Sequence, residues 1–203
     1  DIANGLWKTQ WDKEEVESGG MLKMDFLGLI NLDIITKCLR LLPADVSSKI
    51  DVEQLAYHAE PEVLKTFADA DTDAVFQFES GGMKSMLLQF QPTTFDDLIL
   101  LVAAYRPGPM QFLPDIMAVK HGKKPVSYLT PELEGILGNT YGAIVYQEQV
   151  QQIFRELAGY SLGGADLVRR IMGHKEPEKL IPERQAFVYG DPDRKDAKGN
   201  PSP

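Results

Sequence analysis

The sequence predicts a mainly α protein with a small fragment of β-sheet at its N-terminal end. Three observations carry this. Apolar residues recur at helical spacing through most of the chain. The periodic segments open on Ser, Thr or Asp caps or first-turn prolines, and stop at Gly or Pro. Only short apolar runs near 21–29, 74–78 and 140–145 read as extended.

Residues 1–20 are polar, with a short helix over 12–18 that Gly19 and Gly20 end. The run MLKMDFLGL at 21–29 predicts a buried strand with Asp25 in its middle. A bare carboxylate among Leu22, Met24, Phe26 and Leu27 is costly unless it is paired or binds a metal. Strand alternation leaves the other orientation open, with Asp25 on a solvated face. Residues 31–42 form an amphipathic helix, with Ile34, Ile35, Cys38, Leu39 and Leu42 on one side and Pro43 beyond it. Cys38 in that apolar pattern predicts a buried thiol. Residues 44–60 are irregular or weakly helical, and 61–68 form a short helix with proline in its first turn.

A turn at 70–72 leads to a strand at 74–78. Residues 79–90 then turn into a helix with Ser80 as its cap. Gly81 and Gly82 there either let a phosphate approach backbone N–H groups or simply satisfy the turn. The helix over 94–104 is capped by Thr93 or Thr94, with Asp96 and Asp97 in its first turn, where the macrodipole favours acids. It stops at YRPGP, whose two prolines hold Arg106 on a stiff loop. Helices follow at 110–121, from 130 onward, and at 146–158, with a basic loop at 122–125. The helix over 162–175 has Ser161 as its cap, Arg169 and Arg170 side by side, and Lys175 just past its end. Ala165, Leu167, Val168, Ile171 and Met172 give it one apolar side. A last helix over 177–189 is interrupted by Pro182, and 191–203 lacks apolar residues and predicts a loose or disordered tail.

A chain of 203 residues holds one domain or one and a half. The single cysteine excludes an internal disulfide and fits a reducing compartment. No apolar run spans a bilayer, no signal peptide opens the sequence, and no repeat of solenoid period is present. The net charge of −9 disfavours a polyanion partner, but its distribution does not. Residues 1–100 carry 8 Lys/Arg and 18 Asp/Glu, whereas 101–203 carry 13 and 12, so a polyanion meets the second half.

Asp69, Asp71 and Asp73 lack the glycine and glutamate of a calcium loop, and read as a solvated acidic turn. His58, His121 and His174 are scattered, without zinc-ligand spacing. No Walker loop, dinucleotide fingerprint or nucleophile elbow occurs. The remaining constellation is the carboxylate of Asp25, the stiff-loop Arg106, and Arg169, Arg170 and Lys175 on one helix. Guanidinium groups bind phosphate oxygens bidentately, and a carboxylate can hold Mg²⁺. These are parts of phosphoryl or nucleotidyl transfer.

The runs LKMDFLGL, AVFQFESGGM, YRPGPM, TYGAIVYQEQV and AGYSLGGADLVRRIMGHK, in this order, resemble the alpha-subunit family of bacterial DNA polymerase III, the C-family replicative polymerases. The resemblance runs from near residue 8 to about residue 190. It implies that 1–30 is the end of a palm domain, 31–190 part of a helical fingers domain, and 191–203 a tail. By motif position Asp25 is then a catalytic, metal-binding carboxylate. Arg169 and Arg170, helped by Arg106 and Lys175, hold the triphosphate of the incoming deoxynucleoside triphosphate. The reaction uses two Mg²⁺ ions. The partners are a DNA primer-template and other replicase subunits that bind elsewhere, with no membrane involved. The location that the resemblance implies is the bacterial cytoplasm.

Three departures stand against the family pattern. No Asp-x-Asp precedes Asp25, His174 stands where lysine is usual, and a polar tail follows residue 190. The expectation is a fragment without polymerase activity of its own. The alternative left open is a non-catalytic nucleotide- or nucleic-acid-binding module that kept the fingers fold.

Overall fold

The computed structural model describes residues 2–3, 5–55, 60–174 and 177–191. The chain divides into two compact units, Asp1–Asp51 and Val52–Pro203. The protein is mainly α, as its periodicity predicts.

In the first unit, β1 (Ile2–Ala3) and β2 (Leu6–Trp7) form a two-stranded antiparallel ribbon, with Ile2 opposite Trp7 and Ala3 opposite Leu6. Helix α1 (Lys13–Ser18) opens on a capping box. The Glu15 N–H donates to the Asp12 carboxylate at 2.9 Å and the Asp12 N–H to the Glu15 carboxylate at 3.0 Å, which satisfies two orphan donors. Helices α2 (Ile30–Leu41) and α3 (Ala44–Ser47) follow.

Two expectations fail in this unit. Residues 21–29 form no strand and have no regular secondary structure. Leu22, Phe26 and Leu27 are 81%, 88% and 95% exposed. A strand exists only as part of a ladder, and the only ladder among the described residues is the β1–β2 ribbon. Cys38 is exposed rather than buried. Helix α2 forms with the predicted amphipathic pattern, but none of its residues is buried, so its apolar side meets no core.

The second unit holds α4 (Val52–Leu55), α5 (Pro61–Ala68), α6 (Gly81–Phe90), α7 (Phe95–Ala104), α8 (Leu113–Lys120), α9 (Glu134–Leu137), α10 (Gln147–Ala158), α11 (Leu162–His174) and α12 (Pro177–Tyr189). Its main core is centred on α7. Leu98, Leu100, Leu101 and Ala104 pack with Met83, Leu87 and Phe90 of α6 and Leu113 and Ile116 of α8. Helix α10 joins the two other clusters. Ile153 and Leu157 pack on Leu133, Ile136 and Leu137. Phe154 and Ala158 face Tyr160, Ala165 and Val168, and Ala186 of α12. Phe154 meets Tyr160 and Phe187 edge to face, with centroids 5.1 and 4.9 Å away.

The predicted strand at 74–78 is a series of turns. Ala70, Ala74 and Gln77 all have positive φ, which breaks any extended run. The buried Thr72 hydroxyl donates to the Phe78 carbonyl at 2.7 Å and closes the loop. Thr72→Val, which keeps the shape and removes the donor, should destabilise the protein by about 1–2 kcal/mol, since Phe78 C=O is left unpaired. A urea midpoint equal to that of the native chain would show that the bond contributes nothing. The predicted extended segment at 140–145 likewise begins as a tight turn, with Tyr141 and Gly142 both at positive φ.

Pro182 does not interrupt α12, which runs through it from Pro177 to Tyr189. Proline removes one N–H from the ladder but the flanking bonds persist. The tail beyond residue 191, along with His58 and Lys175, lies outside the described residues.

Candidate anion-binding site

Helix α11 positions two of the sequence-predicted cations. Ser161 caps it, its hydroxyl accepting the Gly164 N–H at 3.2 Å. Ala165 and Val168 are buried against α10 and α12, which fixes the rotation of the helix. The apolar side is narrower than its sequence suggests, because Leu167 and Met172 are exposed. With 3.6 residues per turn, a helix that buries Ala165 and Val168 turns Arg169 to the edge of its buried side and Arg170 about 100° further round, toward solvent.

At that edge Asp166 lies between the two arginines. Its Oδ1 accepts Arg169 Nε–H and its Oδ2 accepts Arg170 Nε–H, each at 2.8 Å. Two side chains of α10 complete the arrangement. Arg169 Nη1 donates to Gln147 Oε1 at 2.8 Å, and Gln151 Nε2 donates to Asp166 Oδ1 at 2.8 Å. The Arg169 hydrogen bond, followed by the charges of Arg169 and Arg170, holds the Asp166 carboxyl below its ordinary value against a desolvation that would raise it. The Arg169 side chain is 25% exposed and that of Arg170 is 64% exposed.

The N-terminus of α10 is itself locked. Gln149 is buried, and its Oε1 accepts the N–H groups of Val145 and Tyr146, each at 2.9 Å. Its Nε2 donates to Ile136 C=O at 3.2 Å and to the Thr140 hydroxyl at 2.8 Å. Every hydrogen-bonding position of a fully buried amide is thereby used.

Arg106 sits just beyond α7, exposed, with its backbone N–H bonded to Ala104 C=O and its C=O accepting the Met110 N–H. Gly108, at φ +109, makes the reversal that the two flanking prolines cannot. Among the described residues the Arg106 side chain has no hydrogen-bond or ion-pair partner. It borders two clefts. One, of about 390 Å³, is lined by Glu79, Ser80, Met83 and Tyr105 among others. The second, of about 470 Å³, is apolar and includes Phe67, Phe95, Ile99 and Tyr146. Tyr146 immediately precedes Gln147, the partner of Arg169, so the α10 N-terminus connects the surroundings of Arg106 to those of the arginine pair.

The glycines at the start of α6 have a packing role. A Cβ on Gly82 would lie 2.0 Å from the Tyr105 hydroxyl oxygen, so that ring seats directly on the helix backbone. Gly81 is open on that side.

Asp25 belongs to the first unit and the arginines to the second. The Asp25 carboxylate accepts Lys23 Nζ at 2.7 Å, and that hydrogen bond holds its carboxyl below the ordinary value. It stands on an exposed segment, the solvated alternative rather than a buried site. The acidic turn is also engaged: Asp69 pairs with Lys65, and Asp73 with Lys84 at 2.5 Å.

Sequence reasoning missed Asp166, Gln147 and Gln151. Asp166 was legible, since an aspartate three and four residues before two arginines pairs with both on a helix. The glutamines had no such signal, because they arrive from another helix.

Most of the chain, residues 31–194, matches the profile of the bacterial DNA polymerase III alpha subunit finger domain. The chain belongs to this family. Over 182 residues it is 44% identical to the DNA polymerase III subunit alpha of Halalkalibacterium halodurans, a match covering 90% of this chain and 16% of that protein. The Staphylococcus epidermidis subunit alpha is 43% identical over 182 residues, with 90% and 17% covered. That of Neisseria meningitidis serogroup B is 47% identical over 188 residues, with 90% and 16% covered. The chain therefore spans about a sixth of the length of these curated relatives. Arg106, Arg169, Arg170 and Lys175 fall inside the finger-domain match and Asp25 precedes it. No described helix is long and apolar enough to cross a membrane.

Proposed function

We propose that this chain is the part of a replicative DNA-directed DNA polymerase that holds the triphosphate of the incoming deoxynucleoside triphosphate during template-directed synthesis in the bacterial cytoplasm. One observation carries the reading. Arg169 and Arg170 spend their Nε–H groups on a shared carboxylate, and Arg169 also gives one Nη1 N–H to Gln147, which leaves Arg169 Nη2 and both Nη groups of Arg170 for an anion with several charged oxygens. Arg106 and Lys175 act as helpers from the adjoining loop and the end of α11. DNA primer-template is gripped through backbone phosphates without sequence preference. In this reading other replicase subunits contact the polymerase outside these residues.

The described residues do not fit a two-Mg²⁺ centre. Among the described residues no group of three or more His, Cys, Asp or Glu side chains could hold a metal ion. Asp25 offers a single exposed carboxylate already paired with Lys23. In this reading Asp25 is a palm carboxylate that supplies one ligand alongside others, and no chemical step is assigned to this chain alone. It should therefore not extend a primer by itself.

Calorimetric titration of a deoxynucleoside triphosphate tests the reading. The native chain should bind, and Arg169→Ala/Arg170→Ala should lose at least about a hundredfold in affinity, for two charge-assisted contacts of roughly 1.5–3 kcal/mol each. Equal affinity of the two proteins, or no binding by the native chain, overturns the assignment.

A further inference from the structure

We propose that Asp166 is a positioning residue for phosphate recognition: by dividing its carboxylate between two adjacent Nε–H groups, it holds the Arg169 and Arg170 forks side by side toward one anion. The inference rests on the triphosphate reading above and adds the residue that sets the geometry of that site.

The argument begins with the bonds. Each guanidinium has five N–H donors in a rigid plane. Fixing Nε–H by a carboxylate oxygen at 2.8 Å fixes the direction in which the Nη groups point. The two oxygens of one carboxylate take one arginine each, so the two planes are set relative to each other as well as to the helix. Asp166 is itself braced, because Gln151 of α10 donates to the same oxygen that accepts from Arg169. Arg169 is held a second time through Gln147. Arg170 has Asp166 as its side-chain partner and the more exposed side chain, so its orientation depends on this one carboxylate.

Energetics assign the pair to orientation rather than to folding. Partly exposed ion pairs three or four residues apart on a helix add little stability. A negative charge next to a phosphate site also weakens phosphate attraction by Coulomb's law. Pre-orienting long, rotamer-rich side chains lowers the entropy lost on binding, and that is the compensation. The two roles predict opposite signs, which makes the proposal testable.

The experiment titrates inorganic tripolyphosphate and a deoxynucleoside triphosphate into the full 203-residue chain, its Asp166→Asn variant and the Arg169→Ala/Arg170→Ala variant. Asp166→Asn keeps the shape but can no longer accept from both arginines. It should bind about tenfold more weakly, the loss of one charge-assisted contact, although the site becomes more positive. Its melting temperature should stay within about 2 °C of the native value. Equal or tighter binding by Asp166→Asn, while the double variant has lost binding, overturns the positioning role and leaves the nucleotide reading intact. No binding by the native chain, or undiminished binding by the double variant, overturns the nucleotide reading and this proposal with it.

A second measurement needs no variant. In NMR spectra of the native chain, the Nε–H signals of Arg169 and Arg170 should be protected from exchange and remain so when tripolyphosphate is added. Loss of that protection on binding would mean that phosphate displaces Asp166, and the positioning role would fail.

Discussion

Lys120→Met should destabilise the helical unit by about 3–5 kcal/mol, the cost of leaving a buried carboxylate without its counter-ion. Lys120 reaches from the end of α8 to Asp97 in the first turn of α7, with Nζ 2.6 Å from Oδ2. The two side chains are 7% and 3% exposed. Asp97 is saturated with donors. Its Oδ2 also accepts the Thr93 and Thr94 N–H groups at 2.8 and 3.2 Å, and its Oδ1 accepts the Tyr141 hydroxyl at 2.8 Å. Lys120 Nζ lies 5.1 Å from the Phe90 ring centroid and 5.7 Å from that of Tyr141, so two aromatic faces share its charge. The network ties α6, α7, α8 and the turn after α9 into one body. Urea unfolding reads the effect, and a midpoint matching a loss under about 1 kcal/mol would show that the network is dispensable. Asp97→Asn/Lys120→Met should recover part of the loss, because no bare charge then remains buried.

The pH dependence of this network follows from its signs. Burial pushes the Asp97 carboxyl up, but the hydrogen bonds from Lys120, Thr93 and Tyr141 outweigh it and leave the group below its ordinary value. A lowered carboxyl contributes stability that is present above the unfolded value near pH 4 and lost as pH falls through the folded one. Tyr141 behaves oppositely. Burial first, then its hydrogen bond to Asp97, raises the phenol well above its ordinary value of 10.0. Its contribution is present below about pH 10 and lost as pH rises through the folded value. The gap between the native chain and Asp97→Asn should therefore narrow below about pH 4. A gap that persists unchanged to pH 2 contradicts the assignment.

Gln149→Leu should cost about 3 kcal/mol, and should also weaken triphosphate binding. Leucine fills the same volume but leaves the Val145 and Tyr146 N–H groups, Ile136 C=O and the Thr140 hydroxyl without this partner. An unsatisfied buried polar group costs roughly 1–3 kcal/mol, and some of these four reach water or each other after substitution. The coupling to binding runs through position. Gln147 and Gln151 stand on the same helix, and both bond to the Asp166–Arg169 cluster. If α10 loses its anchored N-terminus, Arg169 loses a fixed partner. Comparison of melting temperature and triphosphate affinity in one variant decides this. A large loss of stability with unchanged affinity at low temperature would separate the anchor from the site.

Much of the fold was legible from local physics. Helices α5, α6, α7, α10, α11 and α12 were predicted within a residue or two, because caps, first-turn prolines and 3.6-residue periodicity act over one or two turns. Ser80, Thr94 and Ser161 all serve as the caps their positions suggest. The arginine pair on α11 was also legible, since two adjacent guanidiniums on an amphipathic helix form a local pattern.

What failed was non-local. Residues 21–29 and 74–78 have the composition of strands, but a strand is decided by a partner, and positive φ at Ala74 and Gln77 turns the second run aside. Cys38 sits in an apolar pattern on α2, yet only a facing layer could bury it. Asp97 looked like a first-turn acid favoured by the helix dipole. That it is also the buried partner of Lys120, 23 residues on, and of Tyr141, 44 residues on, depends on how α8 and the turn after α9 cross α7. The sequence by itself determined the helices, their caps and the cations that α11 carries, because these depend on neighbours within one or two turns. Only the tertiary structure decided which carboxylates neutralise which cations, and that Gln147 and Gln151 brace the arginine pair, because those pairings exist only once separate helices are packed together.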